Sequence, residues 1–252
     1  AMGLAVPPAF VLRNASAGHF PENMDEHYLA LGSAAVAVRS SALGEDGGDA
    51  SFAGQYDTVL NVRGTQHLRE SIAHCVASAA HERARSYQQD HAGGSAITMN
   101  VVVQAMVNAR VAGVVFTADP VSARRDLLVI DAVAGLGEAL VSGEATPDHY
   151  AVHRSGEIVR RQLTGTDALL SDSDITRIAT QARAAAASEG HPLDLEWAID
   201  EDGTLYWLQA RPITTLPAHL NEFDTVLPRP GDVLTISNIS EMMPGAVCPL
   251  NG

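Results

Sequence analysis

The sequence predicts a mixed α/β or α+β fold with an antiparallel component. Three observations carry this. Short apolar, β-branched runs bounded by Gly, Pro, Asn and Asp recur along the chain. Two longer segments, 66–90 and 172–188, read as helices. Two pairs of strand-like runs are joined by tight polar turns, Ser155-Gly156 and Asp200-Glu201-Asp202-Gly203.

Taken in order, residues 1–30 show a short apolar start, Leu4 to Leu12, and then a polar stretch without clear periodicity. Ala35 to Val38 is a buried-strand candidate ending in Arg39-Ser40-Ser41, followed by a glycine-rich acidic loop at 43–54. Thr58 to Val62 is a second short strand. In 66–90, Leu68, Ile72, Cys75, Val76 and Ala79 recur at helical spacing. The β-branched run 97–107 suits a central strand, and Ala112 to Phe116 and Asp126 to Ala132 suit two more. Residues 134–148 are again glycine-rich. Tyr150 to His153 and Ile158 to Gln162 flank the first turn. Ser171 is a good N-cap for the second helix, with Asp174 as its capping-box partner and Gly190 as its stop. Leu193 to Ile199 and Thr204 to Gln209 flank the second turn. From Pro217 the chain is proline-containing and aperiodic, which reads as a linker.

Bulk properties narrow the function. Of the 252 residues, 46% are apolar and 18% charged, enough for a core and too ordered a pattern for general disorder. A net charge of −14 repels nucleic-acid phosphates and anionic membranes, so neither is an expected partner. Cys75 and Cys248 match no zinc spacing and read as reduced thiols. No apolar run reaches the roughly 18 residues of a membrane span, and the N-terminus has no basic signal-type region. These points make a cytoplasmic location the expectation.

Three groups of residues carry candidate chemistry. A strand delivers Arg39 to a Gly-, Ser- and Thr-rich loop whose backbone N–H groups can approach phosphate oxygens, while the guanidinium grips the same oxygens. The pattern also fits a surface arginine beside a hairpin. Glu196 and Gln209 lie on the paired strands around Asp200–Gly203, where a carboxylate and an amide oxygen can hold Mg²⁺. Strict alternation puts Asp194, Glu196 and Ala198 on one face and Trp197 and Ile199 on the other. The same rule groups Leu205, Trp207, Gln209 and Arg211, and opposes them to Tyr206, Leu208 and Ala210. A solvated hairpin face is the plainer alternative. Gln104 stands in an apolar strand and needs a hydrogen-bond partner, structural or from a bound heterocycle. Gly135-Leu136-Gly137-Glu138 resembles a nucleotide-binding glycine loop but has Leu140 at the third glycine position of a dinucleotide motif. No His-x-x-x-His pair falls on a predicted helix, and no Gly-x-Ser-x-Gly elbow occurs.

Taken together, Val36-Ala-Val-Arg-Ser-Ser-Ala42, Ala50-Ser-Phe-Ala-Gly-Gln55, Asp57-Thr-Val-Leu-Asn-Val62, Val103-Gln-Ala-Met106, Gly113-Val-Val-Phe-Thr-Ala-Asp-Pro120, Gly135-Leu-Gly-Glu138, Asp194-Leu-Glu-Trp197 and Gln209-Ala-Arg-Pro-Ile-Thr-Thr215 occur in the order of a known family. Over residues 35–216 the chain resembles the ATP-binding domain of the phosphoenolpyruvate synthase and rifampicin phosphotransferase family. The resemblance implies an α+β, ATP-grasp-like, two-lobed nucleotide-binding domain with mixed, largely antiparallel sheets. It implies ATP and Mg²⁺ as ligands. Arg39, Gly54 and Thr58 would touch phosphates, and Gln104 would sit by the nucleotide at the lobe junction. Glu196 and Gln209 would hold the metal, and Arg211 would contact phosphate. It also implies splitting of ATP to AMP, with a phosphoryl group passing through a histidine of another domain to a small-molecule acceptor, rifampicin- or pyruvate-like.

The pattern departs from the family in places. The family usually opens with a Gly-Gly-Lys segment, and this sequence starts beyond it. The Leu12–Leu31 and Arg161–Leu170 stretches are shorter than the norm. None of the ten histidines sits in the glycine-rich Ser-His motif of the phosphohistidine domain, so no catalytic residue is assigned and the chain alone is not expected to complete transfer. The expected division is an N-terminal lobe at 1–97, a C-terminal lobe at 98–216, and a linker at 217–252 toward the acceptor and phosphohistidine region. The alternative is a degenerate nucleotide-binding module with a regulatory role.

Overall fold

A computed structural model describes residues 3–16, 18, 20–32, 35–41, 58–87, 99–141, 143 and 145–216. A first sheet comprises β1 (Ala9–Ala15), β2 (Val36–Ser41), β3 (Thr58–Val62) and β4 (Met99–Ala105), in the spatial order β1-β4-β2-β3. Two helices accompany it, α1 (Met24–Ala30) and α2 (Thr65–Tyr87). A second sheet comprises β5 (Ala109–Phe116), β6 (Leu127–Ala134), β7 (Asp148–His153), β8 (Ile158–Gln162), β9 (Leu193–Asp200) and β10 (Leu205–Pro212), in the order β10-β9-β5-β6-β7-β8. With it go a single helical turn, α3 (Glu138–Val141), and the long α4 (Asp172–Glu189). Every pairing among the described strands is antiparallel. The fold is α+β.

Each sheet is covered on one face. On the first, Leu68, Ile72, Cys75 and Val76 of α2 pack with Val36, Val38, Val101 and Val103, all buried. On the second, Ile175, Ile178, Ala179 and Ala182 of α4 pack with Leu128, Ile130, Tyr150, Trp197 and Ile199. Each fully buried aliphatic side chain contributes about 1.5–3 kcal/mol by leaving water, so these two layers carry most of the stabilisation. Helix α4 has the predicted ends. Asp174 N–H donates to Ser171 Oγ at 3.1 Å, Ser171 N–H returns a bond to Asp174 Oδ2 at 3.3 Å, and Gly190 closes the helix at φ 79°.

Several expectations need correction. Residues 1–30 contain an edge strand and a helix that their weak periodicity hides. The chain does not change sheets at 97/98. Strand β4 belongs to the first sheet, between β1 and β2, so the changeover falls at 106–108. A β-branched run reads alike in either sheet, and only its hydrogen-bond partners decide. The glycine-rich stretch holds the end of β6 and the turn α3. The expected linker from Pro217 lies outside the described residues.

Residues 4–8 run across both sheets. Leu4 packs on the second core, Trp207 N–H donates to Ala5 O at 2.9 Å, and Ala105 N–H donates to Pro8 O at 2.8 Å.

Asp148, at the start of β7, is the polar anchor of the second sheet. It is 1% exposed. It accepts hydrogen bonds from Thr164 N–H (2.8 Å), Thr164 Oγ1 (2.9 Å), Leu169 N–H (3.1 Å) and the Tyr150 hydroxyl (3.0 Å). Burial alone would raise its carboxyl, but these donors outweigh burial and hold it below the ordinary value of 3.8. A depressed carboxyl contributes its stability in full above the unfolded value and loses it as pH falls through the lower folded value. Replacement by Ala should therefore cost about 3 kcal/mol at neutral pH. In urea titrations at pH 7 and pH 3, the variant should also lose less stability on acidification than the parent.

Candidate functional site

The uncovered faces of the two sheets meet at a cleft of about 380 Å³. From the first sheet come Ala37, Arg39, Thr58 and Gln104. From the second come Ala112, Val114, Glu196 and Ala198. The connection Met106–Val107 and the loop Leu136–Glu138 close the ends. Period-two alternation explains the lining: Val36 and Val38 point to the helix, so Ala37 and Arg39 face the cleft, and the same holds for Gln104 beside Val103.

On the second sheet the cleft face reads as rows across the strands. Asp194 stands opposite Phe116, Glu196 opposite Val114 and Ala198 opposite Ala112. Continuing outward, Val114 faces Asp131, and Asp131 faces His149, whose Nδ1 lies 2.7 Å from Asp131 Oδ1. The half of the cleft along Ala112 and Ala198 is therefore apolar, the half along Glu196 and Asp194 is charged, and Glu138 adds a carboxylate from the end loop.

A β-bulge sets the charged half. On β10, Trp207 pairs with Trp197 but Gln209 pairs with Glu196, leaving Leu208 as an extra residue. Strict alternation had put Gln209 on the face of Leu205 and Trp207, which is the core face. The bulge turns it to the cleft instead, beside Glu196, and brings Leu208 into the lining. Arg211, opposite Asp194, follows onto the cleft face.

Arg39 spans the two sheets. Its Nη1 donates to Glu196 Oε2 at 2.8 Å and to Gln209 Oε1 at 2.6 Å. The side chains of Arg39 and Glu196 are only 17% and 16% exposed, so this is a largely desolvated, charge-assisted pair. Arg211 Nη2 lies 3.3 Å from Asp194 Oδ2 and 3.9 Å from Glu196 Oε1. Burial pushes the Asp194 carboxyl up; Arg211 opposes this and Glu196 adds to it. Among the described residues, the buried Asp194 Oδ1 and Arg39 Nε have no hydrogen-bond partner.

Of the predicted site residues, Arg39, Thr58, Gln104 and Glu196 line the cleft, and Gln209 and Arg211 stand beside Glu196 in its charged half. Thr58 lies opposite Arg39 in the ladder, and Gln104 is 5% exposed. Gly54 falls outside the described residues. Sequence reasoning placed Asp194 on this face without giving it a role. It also missed Leu208, which only the bulge delivers.

Residues 10–169 and 164–225 match the pyruvate phosphate dikinase AMP/ATP-binding domain. The chain belongs to this family. Among curated dikinase-family relatives, it is 42% identical over 209 residues to the rifampicin phosphotransferase of a Streptomyces species, which covers 72% of this chain and 24% of the relative. It is 39% identical to a probable phosphoenolpyruvate synthase of Methanocaldococcus jannaschii, covering 72% of this chain and 17% of that one. The prodigiosin synthesizing transferase PigC of Serratia marcescens is 42% identical, covering 72% and 23%. The chain thus spans a quarter or less of the length of these relatives. In a comparison of folds, D-alanyl-alanine synthetase A from Vibrio cholerae aligns with TM-score 0.43 at 13% identity, over 86% of this chain and 54% of the synthetase.

Within this domain, Gly113 leaves the least room for a side chain of the described glycines. A Cβ there would lie 1.9 Å from the Asp131 carbonyl oxygen and 2.8 Å from the Trp197 ring. Backbone cannot yield as a flexible side chain would. Gly113→Ala should destabilise the chain by about 3 kcal/mol, at the upper end of overpacking costs, measured as a lowered urea midpoint with unchanged slope.

Proposed function

We propose that this chain is the ATP-binding part of a dikinase-type phosphotransferase that splits ATP to AMP and passes a phosphoryl group, through a histidine on another domain, to a small-molecule acceptor of the rifampicin or pyruvate class. The observation that carries this reading is the division of the cleft. The base and ribose of a nucleotide suit the apolar half. There Gln104, the Met106 carbonyl and the Val107 N–H can serve a heterocycle edge, while the Met106 N–H and the Val107 carbonyl are engaged by Ala35 and Ala109. The polyphosphate suits the half with Arg39, Thr58 and Arg211, where fixed guanidinium groups stabilise charge that moves between phosphates.

Glu196 and Gln209 are the residues to hold Mg²⁺. Both offer hard oxygens, and in the structure these oxygens already converge on one cationic atom, Arg39 Nη1. The ion, when bound, neutralises charge on the phosphate oxygens. The chain's own residues orient the nucleotide, exclude water from the apolar half and grip the phosphates. The acceptor class follows the names of the relatives, rifampicin phosphotransferase and phosphoenolpyruvate synthase. An ATP-consuming reaction of this kind points to the cytoplasm.

Calorimetric titration with ATP and Mg²⁺ tests the reading. The parent should bind in a metal-dependent manner, and Glu196→Ala should weaken that binding by about 100-fold while the circular dichroism spectrum stays the same. Undiminished MgATP binding by the variant would remove the metal assignment. The chain by itself should not phosphorylate an acceptor; steady formation of AMP by the pure chain in the presence of pyruvate or rifampicin would overturn the division of labour between domains.

A further inference from the structure

We propose that Arg39 makes the cleft selective for the metal–nucleotide complex over the free metal, because its guanidinium occupies the position of the divalent ion until a polyphosphate draws it away. This rests on the metal assignment above and adds a role that the assignment does not contain.

The geometry is specific. One nitrogen, Arg39 Nη1, bonds both Glu196 Oε2 and Gln209 Oε1, at 2.8 and 2.6 Å. These are the same two oxygens that a metal would take. A divalent ion and this nitrogen cannot share them, so entry of one requires departure of the other. The guanidinium is also left with capacity for another acceptor, since its buried Nε makes no hydrogen bond among the described residues. A phosphate oxygen arriving in the cleft supplies that acceptor and an anionic partner in place of Glu196.

Charge decides which ligand can make the exchange. Arg39 and Arg211 face Glu196 and Asp194, so the described cluster is balanced when all are ionised. A bare divalent ion would enter against two guanidinium groups and would displace one of them from its carboxylate with nothing offered in return. A polyphosphate entering with the ion offers Arg39 a new anion within the same cleft. Arg39 therefore converts a generic carboxylate–amide metal pair into one that responds to the metal–nucleotide complex.

The test is Mn²⁺ binding without nucleotide, read by electron paramagnetic resonance on the full 252-residue chain and on Arg39→Met and Arg39→Gln. The parent should bind Mn²⁺ weakly. Each variant should bind one Mn²⁺ at least about tenfold more tightly, the scale of a relieved like-charge contact at a partly solvated site. Adding Glu196→Gln to either variant should abolish the gain. The proposal is overturned if the variants bind Mn²⁺ no better than the parent, if the gain survives Glu196→Gln, or if the parent already binds free Mn²⁺ as tightly as the variants. A parallel titration of the parent and its Glu196→Gln variant with MnATP separates the two readings. Glu196-dependent MnATP binding without a gain in the Arg39 variants sinks this inference alone. Absence of Glu196-dependent MnATP binding sinks the metal assignment with it.

Discussion

The structure depends on a single constraint: among the described residues, helices cover one face of each sheet and leave the other to the opposite sheet. Helix α2 covers the first sheet and α4 the second. The remaining faces carry a mixture of apolar and charged side chains, Ala112, Val114 and Ala198 beside Arg39 and Glu196. They meet each other, and the residues between them become a cleft. Arg39 can then reach Glu196 and Gln209, although they lie 157 and 170 residues further along the chain. Without the helices, period-two alternation would have no inside to define, and the charged residues would have no common space to enter.

That constraint explains how much was legible beforehand. The strands and α4 could be read because alternation, β-branched runs and the Ser171–Asp174–Gly190 caps are local signals. Arg39, Gln104 and Glu196 could be singled out as polar residues in or beside apolar strands, but residue pattern alone left a structural or solvated role open for each, and the resemblance to the family was needed to place them at a nucleotide. The sheet membership of β4 could not be read, because it is settled by partners more than sixty positions away in sequence, such as Val103 against Val38. The early edge strand β1 was equally hidden, since its exposed Val11 and buried Leu12 sit in a mixed context that alternation does not mark.

The bulge on β10 is the clearest case of a local rule overridden to useful effect. Alternation places Gln209 with Trp207, and the site then lacks its amide. One inserted residue, Leu208, restores Gln209 to the cleft while Trp197 and Trp207 stay paired in the core. Trp207 is well held there: its indole N–H donates to Gln181 of α4 at 2.8 Å, and its backbone N–H donates to Ala5. The irregularity thus sits between firm anchors, so its cost is confined to one position in the ladder.

The crossing segment at residues 4–8 has a mechanical meaning. Because Ala5 is bonded to the edge strand of one sheet and Pro8 to a strand of the other, the sheets are joined twice, by this segment and by the connection at 106–108. A third link stands in the charged half, where Arg39 of the first sheet bonds Glu196 and Gln209 of the second, so the sheets are tied by backbone on one side of the cleft and by side chains within it.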